Sequence, residues 1–399
     1  MDVATQLDAE ARRGSRRGPL HGIPVGVKDQ FLVADMPCRV ANTWGRTGTS
    51  TSDAGAVAKL REAGAIVIGT TYMPDRFGMA PTRNPWNAEY SPGASSSGSA
   101  AAVGGRLVPL TLGESTGGSG IRPPAFCGVA AIKPTYGRAS RRGLYPISWS
   151  LDHPTVIAQS FEDLALGYNA VAGYDPDDAT SAQVPLDPVS LELLEPPRIG
   201  FVRNHFPDEA SEAMNDRMEK TARQLAEAGA VVVDVELDAD FDVIWDVWTL
   251  IVAAERAAFH SQHSAQLDAV APTLGELVPA SFYLHAQRLR KPLTDMALRA
   301  LRDVDVLLTP AATGPAPLGD AGGDNVMNSP WATTGLPSAT FNIGLDDETG
   351  LPLGAQIAAR PFCEQTLLGA GAWCESVIGR LSAPSPLALP SHHSEPNRK

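Results

Sequence analysis

Hydrophobic and polar positions alternate along this chain in blocks of two periods. Residues 53–63 carry apolar side chains at helical spacing, with Ser52 or Asp53 placed to cap the helix and Gly64 to stop it. The next five residues, 65–69, form a short apolar run of the kind that makes a buried strand. The pattern returns further on: 198–202 reads as a strand, 209–228 as a helix and 231–235 as the next strand. Residues 281–301 read as a helix followed by a strand at 304–308. Two more strands fall at 339–343 and 353–358, and a last helix at 366–378. Helix and strand in alternation predict an α/β fold, with helices covering both faces of one sheet. Two Pro-rich stretches, 184–197 and 310–323, read as connecting loops, and no internal repeat is evident.

Composition narrows the function classes. The chain of 399 residues has a net charge of −13, which argues against a nucleic-acid or anionic-membrane surface as its main partner. No apolar run approaches the roughly 20 residues of a membrane span. The opening residues are polar and lack a signal-peptide core. The four cysteines, Cys38, Cys127, Cys363 and Cys374, are scattered, with neither metal-ligand spacing nor a disulfide framework. A reduced, cytoplasmic enzyme is the expectation.

The candidate chemistry lies in two Gly-flanked serine clusters. One is Ser91-Pro92-Gly93-Ala94-Ser95-Ser96-Ser97-Gly98-Ser99; the other is Gly113-Glu114-Ser115-Thr116-Gly117-Gly118-Ser119-Gly120. Flexible linkers have this composition too, but they are bordered by polar sequence, and here the flanks are apolar. A serine on a glycine turn exposes its hydroxyl and leaves backbone N–H groups free to meet an oxyanion. Such a serine needs a base. His21 and His153 lie nearest to motif-like sequence, without an obvious orienting partner. His260 and His263 have a spacing that can hold a metal, but no further ligands accompany them, so a surface or capping role is expected. The other candidate is Lys28, which ends the apolar run 22–27. Burial there would lower its pKa and make it a neutral base; the competing reading is a lysine snorkelling from a strand end.

Several ordered motifs resemble the amidase signature family. They are Gly18-Pro19-Leu20-His21-Gly22-Ile23-Pro24-Val25-Gly26-Val27-Lys28-Asp29, the stretch from Arg83-Asn84-Pro85-Trp86-Asn87 to Ser119, Phe126-Cys127-Gly128 with Lys133-Pro134-Thr135-Tyr136-Gly137-Arg138, Gly335-Leu336-Pro337, and Gly350-Leu351-Pro352-Leu353-Gly354-Ala355-Gln356-Ile357. The resemblance covers roughly 18–380. It implies a large mixed sheet in a single domain over 1–383; the Ser/Pro/His-rich end of the chain, 384–399, reads by its composition as a disordered tail. It also implies a Ser–Ser–Lys triad with Lys28 as base, Ser95 as bridging serine after a cis peptide bond, and Ser119 as nucleophile. Ser96, Ser97 and Ser99 are rivals for the bridging place. The implied oxyanion hole is the backbone N–H groups of Thr116, Gly117, Gly118 and Ser119, and no metal or organic cofactor is called for.

The chain departs from the family pattern in four places. Ala94 precedes the bridging serine where glycine is usual. Ser115 stands at the family's Asp, with Glu114 just before it. Gly120 intervenes, so Arg122 is displaced by one. Only 17 residues precede Gly18, fewer than in most members. The outward shift of acid and arginine suggests that Glu114 and Arg122 re-form a supporting pair; alternatively Glu114 is solvated and Arg122 has lost its role. Pocket residues are expected from loops 71–81 and 325–337, with Met73, Phe77, Met79 and Trp331 lining a partly apolar pocket or packing in the core. Three functions are in competition. The leading one is a free-standing amidohydrolase acting on a small amide or carbamate through an acyl-enzyme. Its expected partner is the small-molecule substrate, with no nucleic acid, no membrane and a possible homodimer. The others are the glutamine-hydrolysing A-type subunit of a tRNA-dependent amidotransferase and a catalytically impaired binding protein.

Overall fold

A computed structural model describes residues 2–38, 49–74, 81–191, 195–262 and 274–384. Its centre is a ten-stranded sheet. In chain order the strands are β1 (Pro24–Lys28), β2 (Ile66–Thr71), β3 (Leu110–Ser115), β4 (Ala130–Lys133), β5 (His153–Ala158), β6 (Arg198–Val202), β7 (Val231–Val235), β8 (Val306–Pro310), β9 (Ser338–Leu345) and β10 (Pro352–Ala358). Their order across the sheet is β2-β1-β3-β5-β4-β9-β10-β8-β6-β7. Both flanks are parallel, β2-β1-β3 and β8-β6-β7, while the pairings between them are antiparallel. The α/β expectation holds in the form of a large mixed sheet.

Side-chain alternation along the strands builds a core on each face. Val306 and Leu308 of β8 enter one cluster, together with Val25 and Val27 of β1, Leu110 and Leu112 of β3, and the helices Phe161–Val171, Glu212–Glu227 and Glu364–Ile378. The intervening Leu307 enters the other cluster, under the helices Val243–Gln262 and Ala280–Ala300. A period of two sends successive residues to opposite faces. It therefore places Gly26 and Lys28 on the side away from Val25 and Val27.

Several boundaries differ from the sequence reading for local reasons. The first expected helix runs Gly55–Glu62 with Ala54 at its N-cap and no side-chain cap. Asp53 is occupied elsewhere: its Oδ1 accepts from Ala34 N at 2.8 Å and its Oδ2 pairs with Arg61 at 3.0 Å. The helix Glu212–Glu227 starts later than periodicity suggests, because Ser211 accepts from Met214 N and caps it. The helix Val243–Gln262 opens on a nearly continuous apolar stretch, which conceals its period. Trp331 is buried, packs in the second core cluster and stacks on Phe206 at 5.5 Å, so it is core rather than pocket lining. Phe77, Met79, His263 and residues 385–399 lie outside the described residues, as does the His260 side chain. Among the described residues no helix is long and apolar enough to cross a membrane.

Candidate active site

The site is assembled at the carboxyl ends of two adjacent parallel strands, where α/β sheets commonly bind ligands. Lys28 is the last residue of β1 and Ser115 the last of β3, so the Thr116–Ser119 turn leaves the sheet beside the lysine. Ser95 lies next to Ser96, the N-cap of the helix Ser97–Gly104, which packs against β2 and β3. The Ala94–Ser95 peptide is cis.

Lys28 is fully buried. Its Nζ donates to Ser95 Oγ at 2.8 Å, to Glu114 Oε2 at 2.8 Å and to the Glu114 carbonyl at 3.3 Å. The snorkelling alternative is thereby excluded. Burial lowers the Lys28 pKa, opposed by the negative charges of Glu114 and Asp152. The rival serines are engaged elsewhere. Ser96 Oγ donates to the Glu114 carbonyl, Ser97 Oγ to the Tyr72 carbonyl, and Ser99 Oγ meets Thr71 Oγ1. Only Ser95, among these serines, bonds to the lysine.

Ser119 is partly exposed at the end of a buried turn. Gly118 has φ of +136°, and a Cβ there would lie 2.6 Å from Asn328 Oδ1. A Cβ on Gly117 would lie 2.4 Å from the Trp248 ring, whose Nε1 donates to the Thr116 carbonyl. The two glycines thus let Trp248 and Asn328 clamp the turn from two sides. The Gly118 N–H donates to Ser115 Oγ at 3.1 Å, so this member of the expected oxyanion hole has a side-chain partner. Trp248 and Asn328 carry no signal in the sequence, since their contacts with the turn cross 132 and about 210 residues respectively.

The expected Glu114–Arg122 pair does not form. Glu114 turns to Lys28. Arg122 is buried and donates to the carbonyls of Ala94 (2.8 Å), Gly322 (2.8 Å) and Asp324 (2.9 Å), tying the serine loop to the loop after β8. Burial lowers its pKa to about 10. A displaced arginine therefore keeps a supporting role through backbone carbonyls, each of which accepts one of its N–H donors. A further acid, missed by sequence reasoning, completes the site. Asp152 is buried and bonded to Thr116 Oγ1 at 2.8 Å, to Ile147 N and to Ser148 N. The two histidines are structural. His21 Nε2 lies 3.0 Å from the Leu7 carbonyl and its Nδ1 accepts from Arg17 N. His153 Nδ1 meets the Leu151 carbonyl, and burial holds this ring well below the usual histidine range.

A family model described as Amidase matches residues 1–368. The chain belongs to the amidase signature family. Among its relatives, the A-type subunit of glutamyl-tRNA(Gln) amidotransferase from Legionella pneumophila (strain Paris) is 32% identical over 420 residues, covering 92% of this chain and 85% of the relative. Among solved structures, the peptide amidase of Stenotrophomonas maltophilia superposes with a TM-score of 0.82 at 29% identity, covering 96% of this chain and 88% of that one. A chain from an unexpected vestigial protein complex, tied to the evolutionary origins of an s-triazine catabolic enzyme, has a TM-score of 0.83 at 29% identity, covering 96% and 90%.

These relatives overturn the expectation of a small-molecule substrate as the partner, with no nucleic acid and a possible homodimer. One belongs to a tRNA amidotransferase as one of its subunits, and another comes from a protein complex. The physical reason is that net charge describes one chain. A −13 chain can sit in an assembly whose other members meet the nucleic acid.

Proposed function

We propose that this amidase is the glutamine-hydrolysing, A-type subunit of a tRNA-dependent amidotransferase, working through Ser119, Ser95 and Lys28. The observation that carries the chemistry is the hydrogen bond from a fully buried lysine to Ser95 at the foot of the Gly117-Gly118-Ser119 turn. The relatives named as amidotransferase subunits support the assembly and the substrate. In this mechanism neutral Lys28 takes the Ser95 hydroxyl proton as Ser95 takes that of Ser119, and Ser119 Oγ attacks the carboxamide carbon. Backbone N–H groups of Thr116, Gly117, Gly118 and Ser119 receive the oxyanion, with Ser115 Oγ swinging off the Gly118 N–H. The proton returns through Ser95 to the leaving ammonia, and water then hydrolyses the acyl-enzyme. A reduced, cytoplasmic setting suits the scattered cysteines, of which Cys38, Cys127 and Cys374 are buried.

The test is ammonia release from glutamine by the chain alone and after co-expression with candidate partner subunits. Stable copurification and faster glutamine hydrolysis in the complex are expected. Hydrolysis of peptide or aryl amides with glutamine untouched, and no stable complex, would overturn the reading. That outcome would favour a free-standing amidase, the reading that the likeness to peptide amidase supports.

A further inference from the structure

Glu114 occupies a place where the resemblance has no acid, and its side chain is fully buried. The carboxyl is divided between two partners. Oε2 accepts from Lys28 Nζ at 2.8 Å, and Oε1 lies 2.8 Å from Thr116 Oγ1. The same Thr116 hydroxyl lies 2.8 Å from Asp152 Oδ1. A hydroxyl has a single proton to give. With both carboxyls ionised, Thr116 would satisfy one and present lone pairs to the other, and two like charges would flank one hydroxyl in the interior. Every contact is met when one carboxyl carries a proton: that carboxyl donates to Thr116, and Thr116 donates to the other. Asp152 is the acid placed to hold that proton: burial and then the Glu114 charge push its carboxyl up to about 8.

Lys28 joins this pair directly. The charged groups facing its amine are Glu114 from β3 and Asp152 from the turn before β5. Arg141 and Tyr136 act from the far side of Asp152, where Arg141 Nη1 donates to the Tyr136 hydroxyl and lies 3.4 Å from the Asp152 carbonyl. Lys28, Glu114 and Asp152 are neutral overall when they hold two protons among the three. We propose that the Glu114 carboxylate, through its 2.8 Å contact with Nζ, favours the Lys28 ammonium and so sets the pH at which Lys28 becomes the base for Ser95 and Ser119. As the pH rises the ammonium gives its proton to solvent, and the nitrogen regains a lone pair. That lone pair then takes the Ser95 proton as Ser95 takes the Ser119 proton. Lys28 ends as an ammonium paired with Glu114, once the oxyanion has formed on the substrate. Glu114 acts through Lys28 and is a positioning residue.

This inference rests on Ser119 being the nucleophile, and one experiment separates the two claims. The rate at which a fluorophosphonate probe labels Ser119 is followed against pH. Wild type should show a rate that rises with pH along one limb. Glu114→Gln removes the charge that favours the ammonium, so its limb should move to lower pH by about 1 to 3 units. Glu114→Asp keeps the charge and should hold the limb near its wild-type position. Asp152→Asn should move it the same way as Glu114→Gln, by less, because Asp152 is not in contact with the amine. Should Glu114→Gln fail to fold, as read by near-UV circular dichroism, Asp152→Asn carries the test. Labelling of Ser119 with the limb unmoved in the folded variants overturns the role of Glu114 and leaves the nucleophile standing. Absence of Ser119 labelling in wild type overturns both.

Discussion

At the scale of single residues, the site depends on a lysine taken out of water. Removing Ser119 should be the simplest change: Ser119→Ala stays folded and loses about 10⁴-fold or more in kcat, as when a covalent nucleophile is lost elsewhere. Full activity in that variant would sink the mechanism. Lys28→Arg keeps the positive charge next to Glu114 but cannot give up its proton, so it should be folded and inactive. An active Lys28→Arg enzyme would show that no neutral amine is needed. Lys28→Ala tests less cleanly, because it strands the Glu114 charge in the interior, a loss of about 3–5 kcal/mol when one partner of a buried pair is removed. Its activity should be read beside a urea melt. The sequence named Lys28, Ser95 and Ser119 as candidates, and the structure brings Lys28 Nζ to 2.8 Å from Ser95 Oγ. The partner of Glu114 was not legible in the sequence. Its real contact spans 86 residues, whereas the expected one to Arg122 spanned 8. Adjacency in the chain is a poor guide where a turn reverses direction at a strand end.

Elements hold the site through close approaches that only glycine permits. Gly118→Ala would strain a backbone at φ +136° and drive a methyl into Asn328, shifting the turn that carries Ser119. We expect kcat to fall by about 10²-fold, the scale of a displacement of roughly 1 Å at a reacting atom. Unchanged kinetics would mean that the Asn328 clamp does not position the turn. Gly371→Ala is the contrasting case. It lies in the helix Glu364–Ile378, where a Cβ would fall 1.9 Å from the Phe161 ring of the neighbouring helix. Overpacking there should lower stability by about 1–3 kcal/mol in a urea melt while leaving the chemistry intact. The elements themselves were largely readable, because amphipathic periods survive in the segments 198–235 and 281–308. The helix Val243–Gln262 was not readable, although it delivers Trp248 to the turn. Its apolar start faces both the core and the nucleophile loop, so no polar stripe marks a period.

At the scale of the whole molecule, a second buried lysine makes stability depend on pH. Lys133, at the end of β4, is buried and donates to the Leu336 carbonyl. Burial lowers its pKa to about 7, partly offset by the Glu364 charge. Between about pH 7 and the ordinary lysine value, the unfolded chain binds a proton that the native protein does not. Stability from this group therefore rises with pH across that window and is lowest below it. Compared with Lys133→Met, wild type should gain up to about 1.4 kcal/mol per pH unit in urea melts from pH 7 to 10. A constant difference would mean that the ammonium stays buried in its charged form.

Periodicity alone was enough for the alternation at 53–69, 198–235 and 281–378 and for the covered sheet that it requires, but not for β4, β5 or the helices Phe161–Val171 and Val243–Gln262. The motifs put the candidate lysine at a strand end and the candidate serines beside glycine turns, which are local features. The tertiary structure decided which serine meets the lysine, where Glu114 and Arg122 point, and that Asp152, Trp248 and Asn328 belong to the site. Each of these depends on how strands distant in the chain lie side by side, and β3, β5 and β1 are neighbours only in the sheet. A hydrogen bond is fixed by distance and angle within a few tenths of an ångström, which no spacing along a chain encodes. The assembly lies further still beyond the sequence, because net charge and composition describe a surface without saying what covers it.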